Sequence, residues 1–249
     1  MGRLVRPSMF LTPRDKELFD YLFLNKISTA MQINRDIFGM SNTKDVLRRL
    51  RTLIRHGYIR RTSTGEKATK FGYFLSDKSF KMFISRRIER SWTQLKSDSA
   101  NHDIVLVDIR HRLTKSQKVA RFFTENAIES GLTGDSTFPS EPFLEMHSDA
   151  AIIFKYNGKS FNVAIEYEDS LKSESRYQAH LNSYYLKKEI HGVLYITKEQ
   201  SLRENLARLD KPLCRDRSSK VFLGNLVDVL SSKPLHFGPN NTGNFLQLE

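Results

Sequence analysis

A hairpin is written into the middle of this chain. The run SDAAIIFKYNGKSFNVAIEYE sets two strand-like segments on either side of Asn157-Gly158. That dipeptide is the strongest short-range hairpin signal, because both residues tolerate the positive φ of a type I′ turn. A two-residue closure sets the register: Tyr156 faces Lys159, and stepping back along both strands brings Asp149 opposite Glu166. Strand alternation puts Glu168 on the same face, one step further out. Directly opposed side chains of an antiparallel pair have Cβ atoms about 4.5–5.5 Å apart, where like charges destabilise the sheet. The pairing therefore predicts a compensating positive charge. Mg2+ meets that need, since it takes oxygen ligands and binds through one or two carboxylates with phosphate and water.

Charge is distributed unevenly along the 249 residues. Residues 1–100 hold 21 Lys and Arg against 9 Asp and Glu, a net of +12, whereas the remaining 149 hold 19 of each. The asymmetry points to a nucleic-acid or anionic-surface contact in the N-terminal part and a different task for the rest. A single cysteine, Cys214, excludes an internal disulfide. The absence of any 18-residue apolar stretch, of a charged leader with an apolar run, and of a myristoylation signal (Arg6 stands where Ser or Thr is required) predicts a cytoplasmic protein with no membrane attachment.

Helix punctuation is clear in the first part. Thr12-Pro13 with Asp15 and Glu17 gives a cap, a first-turn proline and acidic residues at the positive helix end, and Leu18, Tyr21, Leu22 and Leu24 supply an apolar face. A helix over about 13–25 follows. Ser28 is positioned to cap a short second helix carrying Ala30, Ile33 and Ile37 and ended by Gly39. Ser41 or Asn42 then caps a third, in which Val46, Leu47, Leu50, Leu53 and Ile54 recur at helical spacing while Lys44, Arg48, Arg49, Arg51 and Arg55 face outward. Gly57 stops it. YIRRTS alternates like a strand, TGEKATK is a basic turn and FGYFLS returns as a second strand.

This order resembles the winged helix-turn-helix family over residues 10–80, with LRRLRTLIRHGYIRR as its most telling stretch. The resemblance implies a recognition helix whose first residues reach base edges of double-stranded DNA while flanking cations meet phosphates. Asn42, Thr43, Lys44 and Arg48 are the candidates for base or groove contact. Arg51, Arg55, Arg60, Arg61, Lys67 and Lys70 are the candidates for phosphate.

DKSFKMFISRRIERSWTQLKSDSA reads as a basic amphipathic helix running into a polar linker. The domain division falls at 90–100, giving an N-terminal domain over 10–95, a second over 100–230 and a loop-like tail over 231–249. In the second, NHDIVLVDIRHRLTKSQ is a helix packing Ile104, Val105, Val107 and Leu113 inward, and KVARFFTENAI a strand ending at Glu125. Strands over 149–156 and 160–168, a helix over 173–188, a strand over 191–197, a helix over 199–210 and a strand over 220–224 follow. They make an α/β domain with a central mixed sheet.

Asp149, then Glu166-x-Glu168 a strand-turn-strand later with a helix directly after, is similar to the PD-(D/E)XK restriction-endonuclease-like fold. With the preceding winged helix, HSDAAII…VAIEYEDSLKSESRYQAHLNSYY resembles the replication-relaxation family, which includes relaxases of the plasmid mobilisation C type. Ser148 stands where the nuclease pattern has proline, and Glu168 where it has lysine. The resemblance implies that Asp149, Glu166 and Glu168 hold Mg2+ or Mn2+. It implies that a cation such as Lys172 or Arg176, moved from the usual lysine position, orients water and meets charge on phosphate. Glu125 is a candidate further ligand and His102 a candidate orienting group. RYQAHLNSYY packs its helix on the sheet through Tyr177, Leu181 and Tyr184.

The sequence thus predicts a two-domain protein that binds double-stranded DNA and nicks or cleaves it with a divalent metal in mobile-element or plasmid processing, acting as a homodimer or with other DNA-processing proteins. The alternative is a transcription regulator whose nuclease-like domain has lost catalysis and binds a partner.

Overall fold

Thr12 starts the first helix by a reciprocal contact with Asp15. The Asp15 N–H donates to the Thr12 hydroxyl oxygen at 3.3 Å, and the Asp15 carboxylate accepts from the Thr12 N–H at 2.6 Å. Two of the orphan N–H groups of the helix start are satisfied in this way, an arrangement that contributes about 1 kcal/mol. Helix α1, Pro13–Asn25, then buries Leu18, Phe19, Leu22 and Phe23. In the computed structural model, residues 9–64, 71–90, 97–215 and 218–231 are described, with the backbone of 235–237 and 246–248.

Contacts divide the chain into two compact units, Met1–Ile88 with Thr93–Ile104, and Glu89–Trp92 with Val105–Glu249. In the first, α1 is followed by strand β1, Ser28–Thr29, helix α2, Ala30–Ile33, and a π turn, Asn34–Phe38. The cap of α2 is Thr29, reciprocated by Gln32; Ser28, expected as the cap, lies one residue earlier in β1 and is buried. Gly39, at φ 59°, ends the segment. Asn42 caps helix α3, Thr43–Arg55, which buries Val46, Leu50 and Leu53. Strands β2, Ile59–Ser63, and β3, Phe71–Leu75, complete an antiparallel sheet in the order β1-β3-β2. The long basic helix expected next is shorter: α4, Asp77–Ser79, continues as a π turn only to Ile84.

Helix α5, Ala100–Leu113, leads into the second unit, where Ile109 and Leu113 are buried. Strand β4, Val119–Thr124, ends one residue earlier than expected: the Thr124 hydroxyl accepts from the N–H of Ala127 and starts helix α6, Glu125–Ser130. Helix α7, Ser140–Met146, precedes the hairpin of β5, Ala150–Tyr156, and β6, Lys159–Glu168. Neither α6 nor α7 was anticipated from the sequence. Helix α8, Glu174–Leu186, strand β7, Gly192–Thr197, helix α9, Gln200–Asp210, strand β8, Val221–Asn225, and helix α10, Leu226–Leu230, follow. Within the tail, β9, Leu235–Phe237, and β10, Leu246–Leu248, pair with each other.

The five-stranded sheet runs β4-β5-β6-β7-β8, antiparallel through β6 and parallel from β6 to β8, so the unit has the mixed sheet expected. Its two faces have separate cores. Ala151, Ala164, Val193 and Tyr195 pack with Tyr177, Leu181, Leu202 and Leu206 of α8 and α9 on one side. Ile152, Ile165, Leu194 and Ile196 pack with Ile109, Leu113, Leu226 and Val229 on the other. Each fully buried Leu or Ile contributes roughly 1.5–3 kcal/mol, and burial on both faces is what the continuous apolar run GVLYIT of β7 provides.

Candidate functional site

The hairpin closes as its sequence requires. Asn157 and Gly158 have φ of 47° and 73°, Tyr156 pairs with Lys159, and the ladder runs to Ala150 opposite Ile165. Asp149 lies one step beyond that last pair. Its Oδ2 accepts from the N–H of Tyr167 at 2.7 Å, and its carbonyl accepts from the N–H of Glu125 at 3.1 Å. Side chains alternate, so Glu166 and Glu168 share the sheet face of Ala164, beneath α8; both are buried, 9% and 6% exposed. In the parallel register Glu166 lies beside Tyr195 of β7 and Glu168 beside Thr197.

Charge interactions tie these groups together. Burial pushes the Glu166 carboxyl well above the usual carboxylate range, the neighbouring charge of Asp149 pushes it further, and Lys172 acts in the opposite sense. Lys172 folds back from the loop after β6 to Glu168, Nζ to Oε2 2.7 Å. Arg176 is exposed in the first turn of α8.

Helix α8 brings three polar-tipped rings to this face. Tyr184 donates its hydroxyl proton to Glu166 Oε1 and lies 2.8 Å from the Ser148 hydroxyl. The Tyr177 hydroxyl accepts from the N–H of Lys172 at 3.2 Å and donates to the carbonyl of Ser170. His180 Nε2 faces the Met146 carbonyl at 3.3 Å, which can only accept, so Nδ1 is the acceptor for the Tyr195 hydroxyl at 3.0 Å. Burial lowers the His180 pKa, consistent with the neutral ring this arrangement needs.

The structure places the expected site residues as follows. Among the described residues no group of three His, Cys, Asp or Glu side chains that could hold a metal ion is present. Lys172 returns onto Glu168 and engages that carboxylate with an ammonium. Glu125 opens α6 instead of ending a strand, and its observed link to Asp149 runs through its backbone N–H. His102 belongs to the first unit and contacts Asp103. Ser148, His180, Tyr184 and Tyr195 were not picked out as site residues. The spacing of Tyr177, His180 and Tyr184 along one helix face signalled His180 and Tyr184, and no sequence signal marked Ser148 or Tyr195.

In the first unit, Lys44, Arg48, Arg51 and Arg55 follow at steps of four, three and four, one stripe of α3, and all are exposed. Thr43 is exposed at its first turn. Asn42 spends its side-chain oxygen on the N–H of Lys44, 2.9 Å, so its first role is the cap. Arg48 lies 3.1 Å from Asp45, Arg60 pairs with Asp77 at 2.9 Å, and Arg61 stacks over Phe71 at 4.5 Å. Burial raises the Tyr73 pKa while Arg61 and Arg51 both lower it, which brings the α3 stripe and β2 to one locality. Lys67 and Lys70 lie outside the described residues. Arg49, expected to face outward, instead pairs with the buried Asp15. Among the described residues no helix is long and apolar enough to cross a membrane.

Comparison with protein-family models, with curated proteins and with solved structures found no match.

Proposed function

We propose that this chain binds double-stranded DNA through its first unit and nicks or cleaves DNA through its second, with Mg2+ or Mn2+, in the processing of a mobile element or plasmid. One observation carries the reading: Asp149, Glu166, Glu168 and Lys172 come together at one end of β5 and β6. Three acidic groups with one ammonium are the components of metal-dependent phosphodiester chemistry.

The donor set fits a hard divalent cation. Asp149, just before β5, and Glu166 of β6 offer carboxylate oxygens, and burial together with the charge of Asp149 disfavours the charged form of Glu166. Two carboxylates completed by water and phosphate are a usual Mg2+ site, so a three-carboxylate set is not required. When bound, the ion supplies charge stabilisation for the phosphate and a more acidic water. In this reading Asp149 and Glu166 are its ligands, and Tyr167 N–H orients Asp149. Glu168 tethers Lys172, whose side chain is 36% exposed and presents its charge to a phosphate oxygen.

For the first unit, the order α1-β1-α2-α3-β2-β3 and the exposed Lys44–Arg48–Arg51–Arg55 stripe support a winged helix-turn-helix reading. The net +12 of residues 1–100 supports a polyanionic partner. A second reading, a transcription regulator with a degenerate nuclease-like unit, is favoured by the engagement of Glu166 by Tyr184 and of Glu168 by Lys172.

The deciding experiment incubates supercoiled DNA carrying the protein's own upstream region with Mg2+ or Mn2+, beside an Asp149→Ala control. Open-circular or linear product that is lost in the control supports the nuclease. DNA binding with neither product nor any thermal response to metal rejects it in favour of the regulator.

A further inference from the structure

The carboxylate of Glu166 is held by a hydroxyl chain that no nuclease-like motif in the sequence predicts. Tyr184 donates to Glu166 Oε1, so its own oxygen is left to accept, and the Ser148 hydroxyl 2.8 Å away is the donor. All three groups are inside the protein: Tyr184 is 0%, Ser148 2% and Glu166 9% exposed. Successive hydrogen bonds of one direction polarise one another and strengthen in a low-dielectric interior. Ser148 immediately precedes Asp149, whose carboxylate is fixed by Tyr167 N–H. One dipeptide, Ser148-Asp149, therefore supplies a carboxylate directly and steadies its neighbour across the sheet through Tyr184.

We infer that Tyr184 is a positioning residue, which with Ser148 fixes the Glu166 carboxylate in the orientation that receives a divalent cation shared with Asp149. The inference rests on the metal-site reading above and adds to it the group that orients the ligand. It also gives a purpose to serine where the nuclease pattern has proline, since proline has no hydroxyl to offer Tyr184. Groups that hydrogen-bond a metal ligand set its orientation and basicity, and their loss costs about 10–100-fold in metal affinity. The same helix face places Tyr177 against the Lys172 loop and His180 against Tyr195, so α8 acts as the rigid support on which the ligand hydroxyl is mounted.

The test is calorimetric titration of the full chain with Mn2+, for wild type, Asp149→Ala, Tyr184→Phe and Ser148→Ala, beside melting curves without metal. Expected is measurable Mn2+ binding by wild type, its loss in Asp149→Ala, an affinity at least about tenfold weaker in Tyr184→Phe, and a smaller loss in Ser148→Ala. A purely structural tyrosine would lower the metal-free melting temperature and leave Mn2+ affinity in place. Wild-type affinity in both Tyr184→Phe and Ser148→Ala overturns the positioning role while leaving the metal site standing. No Mn2+ binding by wild type overturns both. Should Tyr184→Phe fail to fold, Ser148→Ala decides: weakened affinity supports the chain, and unchanged affinity overturns it.

Discussion

Lys172 reaches back to Glu168 across a single turn of chain, Nζ to Oε2 2.7 Å, from a loop that the β6 strand end and the Ser173-capped start of α8 hold in place. Lys172 and Glu168 are thus each other's partners. Substituting Lys172→Ala should lower cleavage on the order of a hundredfold, as removal of a preorganised cation or donor does. The thermal response to Mg2+ should survive, because Asp149 and Glu166 remain. Nicking assays with parallel melting curves check both halves; unchanged turnover removes Lys172 from the chemistry.

Arg48 and Arg61 should behave differently towards DNA. Arg48 lies midway along α3 on its exposed stripe, and Arg61 of β2 stacks on Phe71 of β3. Arg48→Ala is expected to reduce discrimination between specific and unrelated DNA. Arg61→Ala should weaken all DNA alike and lower the salt slope by about 1. Fluorescence anisotropy titrations across a salt series measure both quantities.

Arg49 pairs with the buried Asp15 in the first unit. Burial acts to raise the Asp15 pKa, but the hydrogen bonds from Arg49 and Thr12 outweigh it and hold the carboxyl below its ordinary range. The stability this contributes is therefore fully present above the unfolded carboxyl pKa of about 3.9 and is lost as pH falls through the lower folded value. Arg49→Ala should cost roughly 3 kcal/mol at neutral pH, because it strands a buried carboxylate. It should also remove most of the acid-side loss attributable to Asp15, read by urea unfolding from pH 7 to pH 2.5.

Gly158→Ala isolates the turn. No other atom lies within 4 Å of the position a Cβ would take, so the penalty is the left-handed backbone at φ 73° alone. About 1 kcal/mol of destabilisation is expected from equilibrium unfolding. A neutral outcome would mean that the hairpin closes in another way.

Local signals account for much of the fold. Thr12, Asn42 and Ser173 each cap the helix that follows, and Asn157-Gly158 closes the hairpin in the register its two residues dictate, since all of these act within four residues. The misses have equally physical causes. Thr29 and not Ser28 caps α2 because the chain leaves β1, which pairs with β3 forty-odd residues away, only after Thr29, whose hydroxyl then meets the Gln32 N–H. Helices α6 and α7, of 6 and 7 residues, have too few turns to display a period. Arg49 resembles every other arginine of α3 until Asp15 is seen 34 positions earlier in the chain.

The candidate site divides along the same line. Asp149 and Glu166 were brought together by the amino-acid sequence, because a two-residue turn leaves only one register and alternation only one face. Tyr184 comes to Glu166, Tyr195 to its side and His180 to Tyr195 by a crossover: α8 must leave β6, cover the sheet and return the chain as the parallel strand β7. No periodicity encodes that meeting. It depends on how a helix face and a neighbouring strand settle against one another in the folded core, and hydrogen-bond partners 18 and 15 residues apart are set by that packing alone.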